Sequence, residues 1–133
     1  MTSVNDLERE LRKVIRGDVR FDPASKLLYS TDASMYQMEP VGIVIPRDAD
    51  DVQAAHEVAR KHGVAFLSRG GGTSLTGQTV NHALVLDFSR YMNTVLEVNP
   101  EEKWARVQPV VVQDELNHHV RPMGLLFGPD TST

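Results

Sequence analysis

The sequence predicts an α/β fold built around a βαβ unit, and three neighbouring segments carry this prediction. The apolar run 42–46 is typical of a buried strand, and the apolar run 64–67 is typical of a second one. Between the two runs, apolar residues recur on one helical face: Val52, Ala55, Val58 and Ala59. Strand, helix and strand in this order predict two parallel strands joined by a right-handed crossover.

The ends of the central helix are marked by residues that favour helix boundaries. Asp48 is expected to cap its first turn, and Gly63 stands where a glycine commonly ends a helix. The apolar run 83–87 predicts a third strand, which follows a glycine-rich loop. The loop therefore connects two predicted strands.

The N-terminal segment predicts an amphipathic helix. Four apolar residues are spaced so that they share one helical face: Leu7, Leu11, Val14 and Ile15. Asn5 or Asp6 is expected to cap the start of this helix, and Gly17 is expected to end it.

The segment from residue 18 to residue 40 gives only weak structural signals. Residues 27–29 are compatible with a short strand or with a packed loop. A helical turn is expected to begin at Ser30 or Thr31 and to run through Met35.

The last third of the chain predicts a hairpin followed by a helix. Residues 94–99 and 104–108 are expected to form two strands around a turn at residues 100–102. In the second strand, one face carries Trp104, Arg106 and Gln108 and the other carries Ala105 and Val107. This alternation predicts a half-buried strand. The final helix has an apolar face made of Val112, Leu116 and Val120. It is expected to stop near Pro122 and Gly124.

Composition and charge argue against several classes of protein. The 133 residues carry 14 basic and 18 acidic side chains, a net charge of −4, and no basic patch, which argues against a nucleic-acid partner. Because the sequence contains no cysteine, disulfides and thiolate metal sites are excluded, and surface or capping roles rather than metal binding are expected for the five histidines. No apolar run is long enough to span a bilayer, and the polar N-terminus has no signal-peptide core. A cytoplasmic protein is expected.

The glycine-rich segment 68–78, Ser-Arg-Gly-Gly-Gly-Thr-Ser-Leu-Thr-Gly-Gln, is the candidate binding site. Three consecutive glycines are costly in conformational entropy, so they indicate a sharp turn or a close approach of the backbone to a ligand. Without side chains in the way, successive N–H groups can converge on an anion. Thr73, Ser74 and Thr76 add hydroxyl groups, and Arg69 adds a positive charge. This combination predicts a phosphate or pyrophosphate site.

The two common phosphate-binding motifs do not fit this loop. A P-loop ends in Gly-Lys-Ser/Thr, and no lysine follows these glycines. The dinucleotide fingerprint needs a third glycine that opens a helix, whereas Leu75 stands at that place and strand-like residues follow. A tight or flexible surface loop without a ligand remains the alternative.

Together with its flanking segments, the loop resembles a known family. Residues 45–52, the helix up to Val64 and residues 69–78 look like the start of an FAD-binding domain of the vanillyl-alcohol-oxidase type. These proteins are also called FAD-linked oxidases, and the similarity is to their glycolate oxidase and D-lactate dehydrogenase branch. The C-terminal residues 127–133 resemble a second FAD-contact segment of that branch, so the resemblance extends from about Tyr29 to Thr133.

The resemblance implies FAD as the cofactor and a role for each matching segment. Backbone amides of the glycine-rich loop would hold the FAD pyrophosphate, and the end of the loop would line the same cleft. The C-terminal segment would approach the flavin side of the cofactor. The implied cofactor-binding residues are Arg69, Gly70, Gly71, Gly72, Thr73, Ser74, Gly77, Gln78, Pro129, Asp130, Thr131 and Ser132.

The resemblance also implies a division of the chain. Residues 1–28 are expected to be a helical lead-in, residues 29–100 the first α/β subdomain, and residues 101–133 the start of the second subdomain of a two-subdomain FAD-binding fold. The second subdomain is expected to be truncated, because family members continue into residues that bind substrate and face the flavin. No catalytic residue is therefore expected in this chain.

Three functions are compatible with these observations. The first is the FAD-binding portion of a flavin-dependent 2-hydroxy-acid dehydrogenase or oxidase, inactive alone, with the 2-hydroxy acid bound only by the complete protein. A non-catalytic module for a nucleotide diphosphate would use the same loop, and an assembly subunit would complete the FAD site of a partner chain. Because truncation would expose apolar surface, self-association of the chain is also expected.

Overall fold

A computed structural model describes residues 3–131 and contains two separate sheets. The helices and strands, in chain order, are α1 (Val4–Val14), β1 (Asp18–Arg20), α2 (Pro23–Leu28), β2 (Gly42–Ile45), α3 (Ala49–His62), β3 (Phe66–Arg69), β4 (Leu84–Asp87), β5 (Val95–Asn99), β6 (Trp104–Val107) and α4 (Gln113–Val120). A single turn of 3₁₀-helix, Arg121–Met123, follows α4. The mixed α/β fold class predicted from the sequence is confirmed.

The larger sheet has four strands in the order β1-β2-β4-β3. Strands β2, β4 and β3 are parallel, whereas β1 pairs with β2 in the antiparallel direction. The predicted βαβ unit is therefore present, but its two strands are not neighbours, because β4 lies between them. Consequently the carboxyl ends of three strands meet at one edge of the sheet.

Apolar side chains of this sheet alternate between its two faces, as the pleat requires. One face packs against α1 and α3 and forms the main core, which includes Leu7, Leu11, Val44, Ala55, Leu84 and Leu86. The other face carries a smaller cluster of Ile43, Ile45 and Val85, packed against Tyr29, Leu67 and Tyr91. Because β2 and β4 are covered on both faces, they read as continuous apolar runs in the sequence.

Helix α3 begins and ends as the sequence predicts. The Asp48 carboxylate accepts hydrogen bonds from the N–H groups of Asp50 and Asp51. Gly63 ends the helix in the left-handed conformation with a φ of 66°, which favours glycine. The first turn is acidic and the last turn is basic, an arrangement that complements the helix dipole.

One buried carboxylate in α3 joins three separate segments of the backbone. The Asp51 side chain is 1% exposed and accepts hydrogen bonds from the N–H groups of Arg16, Gly17 and Arg47, each at 2.9 Å. Residues 16 and 17 connect α1 to β1, and residue 47 connects β2 to α3. Asp51 therefore holds the N-terminal helix and the βαβ unit in one arrangement.

The N-terminal helix is confirmed, but its boundaries differ from the prediction. The cap is Ser3, whose side chain accepts a hydrogen bond from the Asp6 N–H, so Asn5 and Asp6 lie inside the helix. The helix ends at Ile15 and not at Gly17. Gly17 instead permits close packing, because a Cβ at this position would lie 2.0 Å from the Ile45 carbonyl oxygen.

The segment from residue 18 to residue 40 differs most from the sequence-based prediction. Residues 27 and 28 form the last turn of α2 and residue 29 its C-cap, so a strand or a packed loop at residues 27–29 is wrong. No helical turn follows at residues 31–35. A bridge between Thr31 and Gln37 closes this segment into an irregular turn instead. The sequence pattern of residues 18–40 is weak because the conformation of this segment depends on contacts with distant residues.

The predicted C-terminal hairpin is confirmed, with β5 and β6 antiparallel and separate from the larger sheet. Every residue of β6 is exposed, so the predicted half-burial of this strand is wrong. Alternation alone does not bury a strand when no layer covers either of its faces. The predicted helix α4 is also confirmed, and Gly124 ends the following turn with a φ of 72°.

Candidate functional site

The glycine-rich loop lies at the carboxyl edge of the parallel strands. It leaves β3 after Arg69 and returns to the start of β4, so residues 70–79 begin at this edge. In open α/β sheets, ligands bind outside the carboxyl ends of the strands. The fold therefore places the loop where a ligand site is expected.

The loop presents a row of backbone N–H groups that make no hydrogen bond. Within residues 3–131, no hydrogen bond uses an N–H group of residues 70–74 as its donor. Backbone donors are usually paired in folded proteins, with solvent or ligand when not with the chain itself. Five successive donors at the carboxyl edge of a sheet suit an anion that accepts several hydrogen bonds, such as a phosphate or pyrophosphate.

The glycines of the loop have different physical reasons for being glycine. Gly72 and Gly77 have positive φ angles of 67° and 76°, and a Cβ there would lie 2.5 Å from the Arg69 guanidinium and 2.6 Å from the Tyr36 ring. Gly70 and Gly71 have no such restriction, since the nearest atoms to a Cβ there are at 3.7 and 3.5 Å. Among residues 3–131, no atom lies close enough to require glycine at residues 70 and 71. A ligand that approaches the backbone at these two residues would require it, so the loop fits a pyrophosphate-bearing group.

The Ser74 hydroxyl shapes the second half of the loop. It donates a hydrogen bond to Oε1 of Gln78 at 2.7 Å and accepts hydrogen bonds from the N–H groups of Thr76 and Gln78. The hydroxyl proton is therefore used inside the loop. The backbone N–H of Ser74, and not its hydroxyl, is therefore the group that can donate a hydrogen bond to a ligand.

A segment that the sequence analysis did not associate with the site supports the loop from behind. The Ala33 N–H donates a hydrogen bond to the Gly72 carbonyl at 3.0 Å. The Asp32 carboxylate accepts one from the Thr79 hydroxyl at 2.8 Å. The pattern Asp32-Ala33-Ser34 is a common turn signature and was the available sequence signal, but only the structure shows what the turn supports.

Arg69 directs its side chain at backbone carbonyls on both sides of the loop. Its guanidinium donates hydrogen bonds to the carbonyls of Thr31 at 2.9 Å and Thr79 at 3.2 Å, and lies 5.2 Å from the centre of the Tyr29 ring. Tyr29 in turn donates a hydrogen bond to the buried Asp87 at 2.5 Å. Burial, followed by this hydrogen bond, raises the pKa of Tyr29 to about 12. The base of the loop is thus a neutral tyrosine between an arginine and a carboxylate.

The second predicted contact segment is attached to α4. The Phe127 N–H donates a hydrogen bond to Oδ1 of Asn117 at 2.8 Å, and the Gln113 amide donates one to the Pro129 carbonyl. The Thr131 hydroxyl donates a hydrogen bond to Oε1 of Gln113 at 3.4 Å. Asp130 is exposed, and Ser132 lies outside the described residues. The structure therefore groups the predicted site residues into two clusters, one on the glycine-rich loop and one beside α4.

One contact links the glycine-rich loop to the chain that leads into α4. Val110, which follows the β5-β6 hairpin, has a methyl carbon 3.7 Å from the Cβ position of Gly70. The Val110 N–H also donates a hydrogen bond to the Met92 carbonyl at 3.1 Å, which ties it to the segment after β4. Val110 therefore lies beside the first glycine of the loop and precedes α4 by three residues.

The fold and the loop together define an α/β domain that binds a phosphate-bearing cofactor through backbone amides. Comparison with known proteins identifies the cofactor. Residues 40–133 match the family described as "FAD binding domain". This chain belongs to that family, and FAD is the cofactor that the domain binds. The resemblance to FAD-linked oxidases of the vanillyl-alcohol-oxidase type is confirmed.

Curated relatives include dehydrogenases and an oxidase that are named for 2-hydroxy acids. The chain is 39% identical to a "D-2-hydroxyglutarate dehydrogenase" of Escherichia coli, over 98% of this chain and 13% of that protein. It is 35% identical to a "Glycolate oxidase subunit GlcD" of Bacillus subtilis, over 96% of this chain and 28% of that protein. The chain thus spans less than a third of either relative.

Solved structures show the same fold. The chain superposes on 4-ethylphenol oxidase from Gulosibacter chungangensis with a TM-score of 0.73 and 25% identity, covering 90% of this chain and 24% of that one. It superposes on an alkyldihydroxyacetonephosphate synthase with a TM-score of 0.81 and 22% identity, covering 98% of this chain and 27% of that one. Among residues 3–131, no helix is both long and apolar enough to cross a bilayer.

Proposed function

We propose that this chain forms the pyrophosphate-binding part of the FAD site in a flavin-dependent 2-hydroxy-acid dehydrogenase or oxidase. The row of unpaired N–H groups at residues 70–74 is the observation that carries this proposal. The pyrophosphate of FAD offers several acceptor oxygens to such a row, and backbone donors fix its position without a counter-charge. The relatives named for D-2-hydroxyglutarate and glycolate support a 2-hydroxy acid as the substrate class.

Each predicted site residue has a place in this proposal. The backbone of residues 70–74 holds the pyrophosphate, and Gly77 and Gln78 line the same cleft. Arg69 begins the loop and holds its base. Pro129, Asp130 and Thr131, beside α4, would approach the flavin together with Ser132, which lies outside the described residues. Hydrogen bonds to Asn117 and Gln113 hold Phe127 and Pro129 against α4.

The cofactor would supply the redox chemistry, and the residues of this chain would bind the cofactor. When bound, FAD would supply the two-electron acceptor for oxidation of a 2-hydroxy acid to a 2-oxo acid. The residues of this chain would orient the cofactor through backbone N–H groups of the loop. We propose that residues of the complete protein outside this chain bind the substrate and accept its proton, so the 133 residues alone bind FAD without oxidising substrate. The short share of each relative that the chain spans supports this proposal.

We also propose how the chain is divided between the two subdomains and where in the cell the protein is located. Residues 29–100 would belong to the first subdomain and residues 101–133 to the second, with the boundary inside the turn between β5 and β6. Residues 1–28 would be the lead-in, although β1 within them pairs with β2 of the main sheet. We also propose a cytoplasmic location, which the absence of cysteine supports.

Thermal unfolding of the chain with FAD, and with ADP as the control, tests the proposed function. A ligand that binds only the folded chain raises its apparent stability by about 2.7 kcal/mol at a hundredfold excess over Kd. We expect FAD to raise the unfolding temperature clearly more than ADP does. An equal shift with ADP would favour a general nucleotide-diphosphate module, and no shift with either ligand would contradict the proposal for this chain.

Self-association is expected to occur through the hairpin and the segment that follows α4. Several large apolar side chains are exposed there: Leu96, Trp104, Val107, Leu126 and Phe127. Exposed apolar surface of this kind drives association when no other partner covers it. Light scattering should therefore show a dimer or larger species, and a monomer at high protein concentration would contradict this expectation.

A further inference from the structure

We infer that Asp32 is a positioning residue for the glycine-rich loop, acting together with Arg69 to hold the loop in its ligand-binding shape. This inference rests on the proposed function, because the shape matters only if the loop binds FAD. Neither side chain needs to touch the cofactor for this role. Both act through the backbone and the hydroxyl of Thr79, at the end of the loop.

Asp32 connects two segments that are far apart in the sequence. One carboxylate oxygen accepts hydrogen bonds from the Thr79 hydroxyl at 2.8 Å and from the Thr79 N–H at 3.4 Å. The other accepts hydrogen bonds from the Ser34 N–H at 2.9 Å and the Ser34 hydroxyl at 2.5 Å. All four contacts come from donors, so the site requires an acceptor-only group, which an ionised carboxylate is.

Arg69 completes the same connection from the other side. While Asp32 accepts from the N–H and hydroxyl of Thr79, Arg69 donates to the Thr79 carbonyl at 3.2 Å and to the Thr31 carbonyl at 2.9 Å. The Ala33 N–H meanwhile holds the Gly72 carbonyl at 3.0 Å. Segment 31–34 therefore holds the loop at residue 72 and at residue 79. Donors whose positions are set before binding lose less entropy when the ligand arrives.

The charge of Asp32 supports positioning over direct binding. Hydrogen bonding to Ser34, which outweighs the opposing effect of burial, and further hydrogen bonds from Thr79 lower the pKa of Asp32 to about 2. The carboxylate is therefore ionised at neutral pH. A negative charge beside an anion-binding loop disfavours a pyrophosphate through Coulomb repulsion. The hydrogen bonds that Asp32 accepts from Thr79 and Ser34 therefore favour a positioning role for this residue over direct contact with FAD.

The test uses the full 133-residue chain and a double-mutant cycle with Asp32→Ala, Thr79→Val and both together. Asp18→Ala is the matched control, because Asp18 is also a part-buried carboxylate with several donors, namely Arg20, Arg90 and Tyr91, but lies on β1, which β2 separates from the two strands that the loop connects. Three quantities are measured for each variant: the Kd of FAD by titration, the free energy of unfolding, and hydrogen exchange, without FAD, of the hydrogen-bonded loop amides of Thr76 and Gln78.

We expect each single variant to weaken FAD binding about tenfold, the order expected for one lost charge-assisted hydrogen bond. Amide exchange at Thr76 and Gln78 should rise in the same variants, because the hydrogen bonds of these two amides depend on the shape of the loop. The double variant should bind FAD no more weakly than Asp32→Ala alone, because both substitutions remove one connection. Asp18→Ala should leave FAD affinity and loop exchange unchanged, whatever it does to stability.

Three results would overturn the inference: an unchanged FAD affinity in Asp32→Ala, additive losses in the double variant, or unchanged exchange of the loop amides. FAD binding by the wild-type chain distinguishes failure of this inference from failure of the proposed function. If the wild-type chain does not bind FAD, the proposed function fails, and the exchange data alone then support or contradict the positioning role of Asp32.

Discussion

Replacing Asp51 with alanine is expected to destabilise the chain by about 3 kcal/mol, because three backbone N–H groups would lose their acceptor at a part-buried site. The substitution would also release the connection between α1, β1 and α3. Urea unfolding at neutral pH measures the loss. An unfolding free energy within about 0.5 kcal/mol of wild type would contradict the role of Asp51.

Asp50→Ala is the matched control for this experiment. Asp50 is the neighbouring residue on the same helix, with its side chain 90% exposed and 3.4 Å from the Arg16 guanidinium. A surface ion pair of this kind contributes about 0–1 kcal/mol. A large loss for Asp51→Ala and a small loss for Asp50→Ala would assign the effect to the buried backbone contacts and not to the acidic first turn.

The pH dependence of the unfolding free energy should show the contribution of the Asp51 carboxylate. Burial by itself would raise the pKa of Asp51, but hydrogen bonds from the N–H groups of Arg16, Arg47 and Gly17 outweigh it and lower that pKa below its ordinary value. A lowered pKa in the folded chain means that Asp51 stabilises the fold above its unfolded pKa. This contribution is lost as pH falls through the folded pKa. Acid unfolding of Asp51→Ala should therefore be shallower than that of wild type.

Replacing Gly71 with valine is expected to weaken FAD binding about a hundredfold, or about 2.7 kcal/mol, while leaving the fold intact. Gly71 has no positive φ, and a Cβ there meets only a Thr73 methyl group at 3.5 Å, an ordinary contact. The free energy of unfolding should stay within about 0.5 kcal/mol of wild type. The added side chain would instead keep the cofactor away from the N–H groups of the loop.

Ala65→Val supplies the control for added bulk. Ala65 is exposed and lies just before β3, at the end of the strand opposite to the loop. This variant should keep both stability and FAD affinity. Tight FAD binding by Gly71→Val would mean that the backbone at residue 71 does not approach the cofactor. The loop glycines would then need another explanation.

Much of the fold is predictable from the amino-acid sequence, because the signals involved are local. Residues 48–63 show both helix ends, since capping involves atoms only a few residues apart. The apolar runs of β2 and β4 are recognisable because strands covered on both faces are apolar throughout. The loop at residues 70–74 was also evident, since consecutive glycines with neighbouring hydroxyl residues are a local pattern.

Features that depend on contacts between distant residues became visible in the tertiary structure. It placed β4 between β2 and β3, and it showed that β6 is exposed, because burial requires a second layer that alternation does not encode. It also separated Gly71 from Gly72, whose difference lies in the neighbouring side chain of Arg69. The support of the loop by Asp32 joins residues 47 positions apart. Local propensity and periodicity carry no information about such a contact, so the shape of the binding loop was set by the fold.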